Sequence, residues 1–246
     1  MGLTVHIKHK SYLSSFVHRF PCFNRFVGLR IPNQEKYTWC LSGGGQEPTD
    51  IYIAQVMFIG KTGYGKSTTI NKIVGEKVLE TSDVSACTKD LFSALYRVGY
   101  DSNTYLSFSD LPGVGESNYA DNHYYTWYKE MFNYSHVVVY VLRADQRDFA
   151  VDEILFKNMF NDYRSKRKVI LALNCADKIE PINRKNGISE QQKVNLNKKI
   201  KEVSSIFGVA EENIVWYSAA EGYNFEELMK KISLKLYENI NYNDYL

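Results

Sequence analysis

A short apolar run, residues 56–59, is followed directly by a glycine-rich stretch, residues 60–67, with the pattern G-x-x-x-x-G-K-S. A helix-forming segment then continues to Gly75. Glycines in such a loop let the backbone turn tightly and bring its N–H groups close to an anion. The positive end of the helix that follows points at the same place. This order of strand, loop and helix predicts a phosphate-binding loop in an α/β fold.

Two side chains in the glycine-rich stretch suit the phosphates of a bound nucleotide. We expect the ammonium of Lys66 to reach the β- and γ-phosphates and the hydroxyl of Ser67 to bind Mg²⁺. A chance glycine-rich turn is the alternative, but the strand, the helix, the lysine and the serine all stand in the required register. The predicted nucleotide-binding residues of this loop are Gly60, Lys61, Thr62, Gly63, Tyr64, Gly65, Lys66, Ser67 and Thr68.

Strand-like and helix-like segments alternate along the chain from residue 51 onward. Apolar runs predict strands, and apolar residues spaced three and four apart predict five helices. The turn-rich residues 99–103 join two strands closely enough for an antiparallel hairpin. The six predicted strands span residues 51–59, 91–98, 105–110, 137–142, 169–173 and 214–217. We therefore predict a three-layer α/β domain with a six-stranded, mostly parallel sheet and helices on both faces.

The loop after the third predicted strand begins with the sequence D-L-P-G. Ligands on a mostly parallel sheet bind at the carboxyl ends of its strands, so this loop and the glycine-rich loop should line one site. We expect the carboxylate of Asp110 to hold a Mg²⁺-bound water and the N–H of Gly113 to reach a γ-phosphate. Surface turns also contain D-x-x-G, but its position behind the glycine-rich loop favours the functional interpretation.

The loops after the fifth and sixth predicted strands carry residues suited to a guanine base. The carboxylate of Asp177, in the sequence N-C-A-D, can accept hydrogen bonds from guanine N1–H and N2–H₂, a donor pair that adenine lacks. We expect Asn174 to contact the base and to brace the glycine-rich loop, with an ordinary Asx turn as the alternative. Ser218 and Ala219 can bring a backbone N–H to guanine O6. Together these residues predict GTP and GDP, with Mg²⁺, as the ligands.

The segment between the glycine-rich loop and the hairpin contains several hydroxyl side chains, those of Thr81, Ser82, Ser85 and Thr88. One of them should reach Mg²⁺ when a γ-phosphate is present. Spacing within the segment does not choose among the four.

The sequences G-K-T-G-Y-G-K-S, D-L-P-G-V-G-E-S and N-C-A-D-K, in this order and at this spacing, resemble those of an Era-like GTPase of the translation-factor class. Further resemblance to the bacterial YfjP/YeeP-type GTPases lies in residues 82–88, 110–117, 142–147 and 176–178. The resemblance covers roughly residues 55–235 and implies that Thr88 binds Mg²⁺ and the γ-phosphate. With it, the predicted metal ligands are Ser67, Thr88 and Asp110, and the predicted catalytic residues are Lys66, Thr88 and Gly113.

Three positions depart from the family pattern and bear on activity. Cys175 stands where the guanine motif usually carries a lysine whose stem covers the base. Because that stem is missing, we expect moderate affinity for the nucleotide, with Lys178 compensating in part for the loss. Val114 follows D-x-x-G, where many of these GTPases place a water-orienting glutamine. Gly63 lacks the side-chain oxygen found there in potassium-activated relatives. We therefore expect slow intrinsic hydrolysis of GTP. Glu116 or an arginine from a partner would assist the reaction, but the favoured interpretation of Glu116 is a solvated side chain without a catalytic role.

The residues before the first predicted strand carry most of the positive charge. Residues 1–36 have a net charge of +5, whereas the rest of the chain has a net charge of −3. Apolar residues at helical spacing, followed by Pro21, predict a short amphipathic helix made by Leu13, Phe16, Val17 and Phe20. One interpretation is an element that binds a membrane surface, RNA or a protein partner. Packing on the domain is favoured, because the stretch is short and its charge modest.

A serine- and glycine-rich stretch, residues 42–45, indicates a flexible linker and a boundary near residue 48. The predicted division is a basic N-terminal extension, a nucleotide-binding domain and a tail, at residues 1–48, 49–240 and 241–246. The sequence has no apolar run long enough for a transmembrane helix and no recognisable signal peptide. The 4 cysteines are widely spaced, which favours free thiols in a reducing cytoplasm.

The leading hypothesis is a slow, Mg²⁺-dependent GTPase switch, in which GTP orders residues 76–90 and 113–125 and hydrolysis releases them. A module that binds GTP without turnover is an alternative that Val114 favours. A P-loop kinase or ATPase is a second alternative, which the combination of Asp110, Asn174 and Asp177 disfavours. The sequence leaves several partners open: a ribosome or RNA, a membrane surface, and a second copy of the chain.

Overall fold

The computed structural model describes residues 5–29, 37–39, 49–81, 90–100, 103–114, 118–182 and 187–242. The strands in these ranges are β1 (Val5–Tyr12), β2 (Tyr37–Trp39), β3 (Thr49–Ile59), β4 (Leu91–Arg97), β5 (Thr104–Asp110), β6 (Val137–Arg143), β7 (Val169–Asn174) and β8 (Ile214–Trp216). The α-helices are α1 (Leu13–Arg19), α2 (Lys66–Val74), α3 (Asn118–Tyr134), α4 (Ala150–Met159), α5 (Tyr163–Arg167), α6 (Glu190–Phe207) and α7 (Phe225–Tyr242). Among the helices of these ranges, none has the length and apolar character needed to cross a membrane.

The sheet has β3 in its middle, because the strand order is β1-β4-β5-β3-β6-β7-β8, with β2 paired to β3 outside this path. β3 pairs in parallel with β5 and β6, and β7 and β8 continue in the same direction. β4 runs antiparallel to β5, and β1 runs parallel to β4. The predicted α/β fold with a mostly parallel sheet is therefore confirmed. The carboxyl ends of β3, β5, β6, β7 and β8 meet at one edge.

The strands β5, β6 and β7 are buried along almost their whole length, and β6 and β7 are mostly apolar. All seven residues of β5 and all six residues of β7 are buried, as are the first six residues of β6. The apolar runs of β6 and β7 are typical of strands that helices cover on both faces. Burial on both sides holds the strand ends in place, and with them the loops that follow.

Two strands join the sheet in addition to the six predicted ones, so the sheet of the described residues has eight strands. β1 escaped the sequence analysis because its apolar residues are few and its burial alternates along V-H-I-K-H-K-S-Y, with lysines on the exposed side. Lysines in this position are typical of an edge strand, where they discourage pairing with other chains. β2 has only three residues. The helix α5 was also missed, although its Asp162–Ser165 capping box is a readable signal.

The N-terminal segment packs on the domain, as the favoured interpretation predicted. Leu13, Phe16, Phe23 and Phe26 are at most 2% exposed, and the Phe16 ring lies against Phe108 of β5 with centroids 5.5 Å apart. A short 3₁₀ helix that begins at Pro21 carries two of these phenylalanines. The boundary at residue 48 stays a prediction, but residues 5–29 share the core of the sheet. The predicted linker, residues 42–45, lies outside the described residues.

The same N-terminal segment holds the far end of the helix that follows the glycine-rich loop. Arg19 donates through Nη1 to the Val74 carbonyl and through Nη2 to the Lys72 carbonyl at 2.8 Å. These carbonyls belong to the last turn of α2, where a cation is favourable for the helix dipole. Gly75 ends the helix at a φ of 92°, and a Cβ there would come within 2.5 Å of Arg19 Nη1. Arg19 and Gly75 therefore cap α2 together.

We predict that Arg19→Ala lowers the free energy of unfolding by about 1 kcal/mol, because two helix-end carbonyls lose a charged donor. Urea denaturation of the full chain measures this. Arg25→Ala is the matched control: Arg25 is also exposed, but its guanidinium lies over the Tyr237 ring, 5.1 Å from the centroid, rather than on α2. A loss for Arg19→Ala no larger than that for Arg25→Ala would contradict the capping role.

Candidate nucleotide-binding site

The glycine-rich loop connects β3 to α2 and packs against two neighbouring strand ends. Gly60, Gly63 and Gly65 have φ values of 137°, 79° and 86°, a region that side chains rarely adopt. A Cβ on Gly60 would collide with the Val141 carbonyl oxygen, and one on Gly65 would collide with the Asn174 amide nitrogen. Both the backbone conformation and the close packing therefore require glycine at positions 60 and 65.

Lys66 lies folded across the glycine-rich loop. Its side chain is buried, and its Nζ donates to the carbonyls of Gly60 and Lys61, each at 3.0 Å. These bonds hold the ammonium against the start of the loop, and Lys66 is itself the first residue of α2. A positive charge and a helix N-terminus at one point favour an anion there.

Ser67 and Asp110 meet beside this lysine. The Ser67 hydroxyl donates to Asp110 Oδ2 at 2.5 Å, and Asp110 is fully buried at the end of β5. A hydroxyl and a carboxylate are the hard oxygen ligands that Mg²⁺ prefers, and Mg²⁺ in nucleotide sites takes one or two protein ligands besides phosphates. The donor set of the described residues therefore fits Mg²⁺.

The D-x-x-G loop runs alongside the glycine-rich loop. Thr62 N donates to the Val114 carbonyl at 3.0 Å, and Val114 N donates to the Gly60 carbonyl at 3.4 Å. A Cβ on Gly113 would come within 2.5 Å of Thr62 N, so only glycine fits there. Val114 is 4% exposed. The loop therefore brings a glycine N–H and an apolar side chain, but no polar side chain at position 114, to the glycine-rich loop.

Asn174, at the end of β7, joins three loops. Its Nδ2 donates to the Tyr64 carbonyl at 2.9 Å, and its Oδ1 accepts from Ala219 N at 3.0 Å. The side chain is 3% exposed. The predicted brace on the glycine-rich loop is thus present as a specific hydrogen bond. The same amide fixes the loop after β8.

Asp177 follows on a 3₁₀ turn that begins after Cys175. Its Oδ1 is buried and has no hydrogen-bond partner among the described residues. A buried carboxylate oxygen without a donor is costly, and the paired N–H groups of guanine are donors of the kind it requires. Cys175 has a left-handed φ of 59°, and burial raises the pKa of its thiol. Lys178 is exposed beside it.

The loop after β8 differs in detail from the prediction. Ala219 N–H donates to Asn174, and Ser218 N–H donates to the Tyr223 carbonyl at 3.0 Å. Both N–H groups therefore bond within the protein, and their contact with guanine O6 stays a prediction. The structure brings this loop to the site through Asn174.

Thr88, Ser82, Ser85 and Glu116 lie outside the described residues, so the choice of the metal-binding hydroxyl stays a prediction.

Arg143, to which the sequence assigned no role, ends β6 directly opposite Asn174 in the sheet register. Its guanidinium donates to both carboxylate oxygens of Asp145, at 2.9 and 2.7 Å. The rule that strand ends line the site would have placed Arg143 there.

The family described as 50S ribosome-binding GTPase matches residues 55–175, which contain the glycine-rich loop, D-x-x-G and Asn174. Residues 55–175 are similar to a P-loop GTPase domain of the Era-like group. The resemblance inferred from the motifs is therefore confirmed. The Escherichia coli K12 protein YfjP is 32% identical over 157 residues, which cover 63% of this chain and 53% of YfjP. The chain thus spans about half the length of the curated relatives it matches.

Two solved structures share the fold. Era from Aquifex aeolicus, bound to GDP and AlF4−, has a TM-score of 0.60 and 24% identity over 75% of this chain and 57% of its own. Toc33 from Arabidopsis thaliana, in complex with GDP and Mg²⁺, has a TM-score of 0.55 and 19% identity over 75% of this chain and 84% of its own. At these sequence identities, the similarity to Era and Toc33 shows a shared fold only.

We predict that Asn174→Ala lowers the free energy of unfolding by about 3 kcal/mol, because the Tyr64 carbonyl and the Ala219 N–H lose their buried partner. Chemical denaturation measures the loss. Asn195→Ala is the control, since that half-buried amide makes only solvent-exposed hydrogen bonds among the described residues: it donates to the Glu180 carbonyl at 2.7 Å and accepts from Gln191 Nε2 at 3.5 Å. Equal losses for the two variants would show that Asn174 does not hold the loops together.

Proposed function

We propose that this protein binds GTP with Mg²⁺ and hydrolyses it slowly to GDP and phosphate, acting as a molecular switch. The observation that carries the proposal is the Asn174 amide, which ties the phosphate-binding loop to the loops proposed to hold the base. Around it, Lys66, the Ser67–Asp110 pair and Asp177 lie at one edge of the sheet. Ligands of mostly parallel α/β sheets bind at this edge, outside the carboxyl ends of the strands.

The proposed phosphate site uses charge and backbone donors. Lys66 and the N–H groups at the start of α2 would hold the β- and γ-phosphates, and Gly113 N–H would meet the γ-phosphate. Ser67, Asp110 and Thr88 would hold Mg²⁺, which when bound neutralises charge that develops on the phosphates. The Toc33 structure with GDP and Mg²⁺ supports this choice of ligands.

The proposed slowness has a local cause. Val114 is buried against the glycine-rich loop and offers no oxygen to orient an attacking water. Gly63 adds no side chain at the loop. Charge stabilisation alone would then carry the reaction, and an arginine supplied by a partner would accelerate it.

The proposed base specificity depends on Asp177, whose buried Oδ1 calls for a donor that guanine has and adenine lacks. This argues against a P-loop kinase or ATPase. A GTP-binding module without turnover is a second candidate, and Val114 is the observation that favours it. With Cys175 in place of the lysine and Lys178 exposed, we propose moderate rather than very tight binding.

For the partners of the protein we propose classes of molecule and not single molecules, and for its location a compartment. Era has been solved with a fragment of 16S ribosomal RNA, and dimerisation is stated to matter for GTPase activity in Toc33. RNA or a ribosome and a second copy of the chain are therefore candidate partners, with a membrane surface as a third. Cys22 and Cys175 are free thiols among the described residues, in keeping with a cytoplasmic location.

We predict phosphate release from labelled GTP by the full chain in Mg²⁺, at a rate on the order of 10⁻⁴ to 10⁻² per second. Lys66→Ala should lower the rate at least about a hundredfold, because the charge on the developing phosphate is no longer neutralised. Lys72→Ala, an exposed lysine on the same helix, should leave it unchanged. GTP binding without release above the Lys66→Ala background would favour the binding module over the enzyme.

A further inference from the structure

Tyr64 is fixed to the protein at each of its polar groups. Its N–H donates to the Lys61 carbonyl at 3.3 Å, and its carbonyl accepts from Asn174 at 2.9 Å. Its hydroxyl donates to Asp152 Oδ2 at 3.0 Å. The ring is 4% exposed and lies under the Lys61 ammonium, 5.6 Å from the ring centroid. Tyr64 therefore joins the phosphate-binding loop to β7 on one side and to α4 on the other.

Asp152 is a fully buried carboxylate in the first turn of α4. It accepts from Tyr64 and, at Oδ1, from the Tyr140 hydroxyl at 3.1 Å. Burial raises the pKa of Asp152 to about 6, and the two tyrosine hydroxyls and the charges of Lys61 and Lys66 oppose that rise. A buried carboxylate costs free energy that an apolar residue of similar size would not. The stability of the fold alone therefore does not explain a carboxylate at position 152.

The position of Tyr64 in the loop suggests the reason. It stands between Gly63 and Gly65, which have positive φ values and no side chains. Tyr64 therefore supplies the one side chain through which residues 63–65 can be anchored. N–H groups bind phosphate well only when they are held in place before the ligand arrives.

We propose that Asp152 is a positioning residue for nucleotide binding, which through the Tyr64 hydroxyl holds the phosphate-binding loop in its anion-binding shape. This rests on the proposed GTP-binding function. Asp152 acts on the ligand through Tyr64, not by touching it. The side chain of Tyr140 is the internal comparison, since its hydroxyl meets the same carboxylate but belongs to the middle of β6.

The test compares Tyr64→Phe with Tyr140→Phe in the full chain. Each change removes one hydroxyl from Asp152 and keeps the ring, so the two should lower the melting temperature by similar amounts. Tyr64→Phe should raise the dissociation constants of labelled GTP and GDP about tenfold, the equivalent of one buried hydrogen bond to a charged group. Tyr140→Phe should change them less than about twofold.

Two variants of the carboxylate extend the test. Asp152→Ala should weaken nucleotide binding as much as Tyr64→Phe, and the double variant should bind no worse than either, because both remove the same contact. Asp152→Asn keeps an oxygen and the shape, so it should restore most of the affinity. If Asp152→Ala does not fold, the comparison of Tyr64→Phe with Tyr140→Phe alone decides whether the positioning role holds.

The outcomes separate this inference from the function on which it rests. Wild-type protein that binds labelled GTP, with equal dissociation constants for Tyr64→Phe and Tyr140→Phe, would overturn the positioning role alone. Wild-type protein that binds no guanine nucleotide would overturn the proposed function and the positioning role together. A tenfold effect of Tyr64→Phe at matched melting temperatures supports the inference.

Discussion

A single buried amide determines how the loops of this domain lie relative to one another. Asn174 donates to the glycine-rich loop and accepts from the loop after β8, while its backbone ends β7. Each of these loops leaves a different strand, and the sheet alone sets the distance between them only coarsely. Two hydrogen bonds of about 3 Å remove that freedom. The proposed phosphate and base sites are thereby kept in one fixed relation.

The helix α2 is held at both ends by residues from distant parts of the chain. At its N-terminus, Asn174 and Asp152 both hold Tyr64, the residue before Gly65. At its C-terminus, Arg19 caps the last carbonyls, and His9 Nδ1 lies 3.1 Å from the Glu76 carboxylate. The N-terminal segment thus holds α2 in place and also forms the edge of the sheet. An element that ends in a binding loop gains precision when its other end cannot shift.

The sequence predicted well what depends on local patterns. The glycine-rich loop and the end of α2 at Gly75 appear as expected, because each depends on contacts within a few residues. Two capping-box patterns in the sequence also predict helix starts, and the one at Ser189 and Gln192 is present. The prediction from the other pattern, at Asn224 and Glu227, is wrong. Asn224 has a left-handed φ of 54° and donates instead to the Trp216 carbonyl, at 2.7 Å. An Asn can satisfy either geometry, and the packing after β8 decides between them.

What the sequence did not predict depends on distant contacts. β1 becomes a strand through its pairing with β4, more than 80 residues away, and its own pattern is weak. Tyr64 and Asp152 are 88 residues apart, and neither belongs to a motif that names the other. Their meeting follows from the strand order, which places β6 and α4 beside the loop. Such pairs can be recognised only once the fold is known.

The central claim is that the loops joined by Asn174 bind a guanine nucleotide. Its most direct test is competition of GTP and ATP against labelled GDP, on the wild-type chain and on Asp177→Ala. The account predicts that GTP competes at a concentration at least about a hundredfold lower than ATP on the wild-type chain, because a polar mismatch at a buried carboxylate is rejected strongly. It predicts that Asp177→Ala narrows this difference. Equal competition by GTP and ATP on the wild-type chain would contradict it.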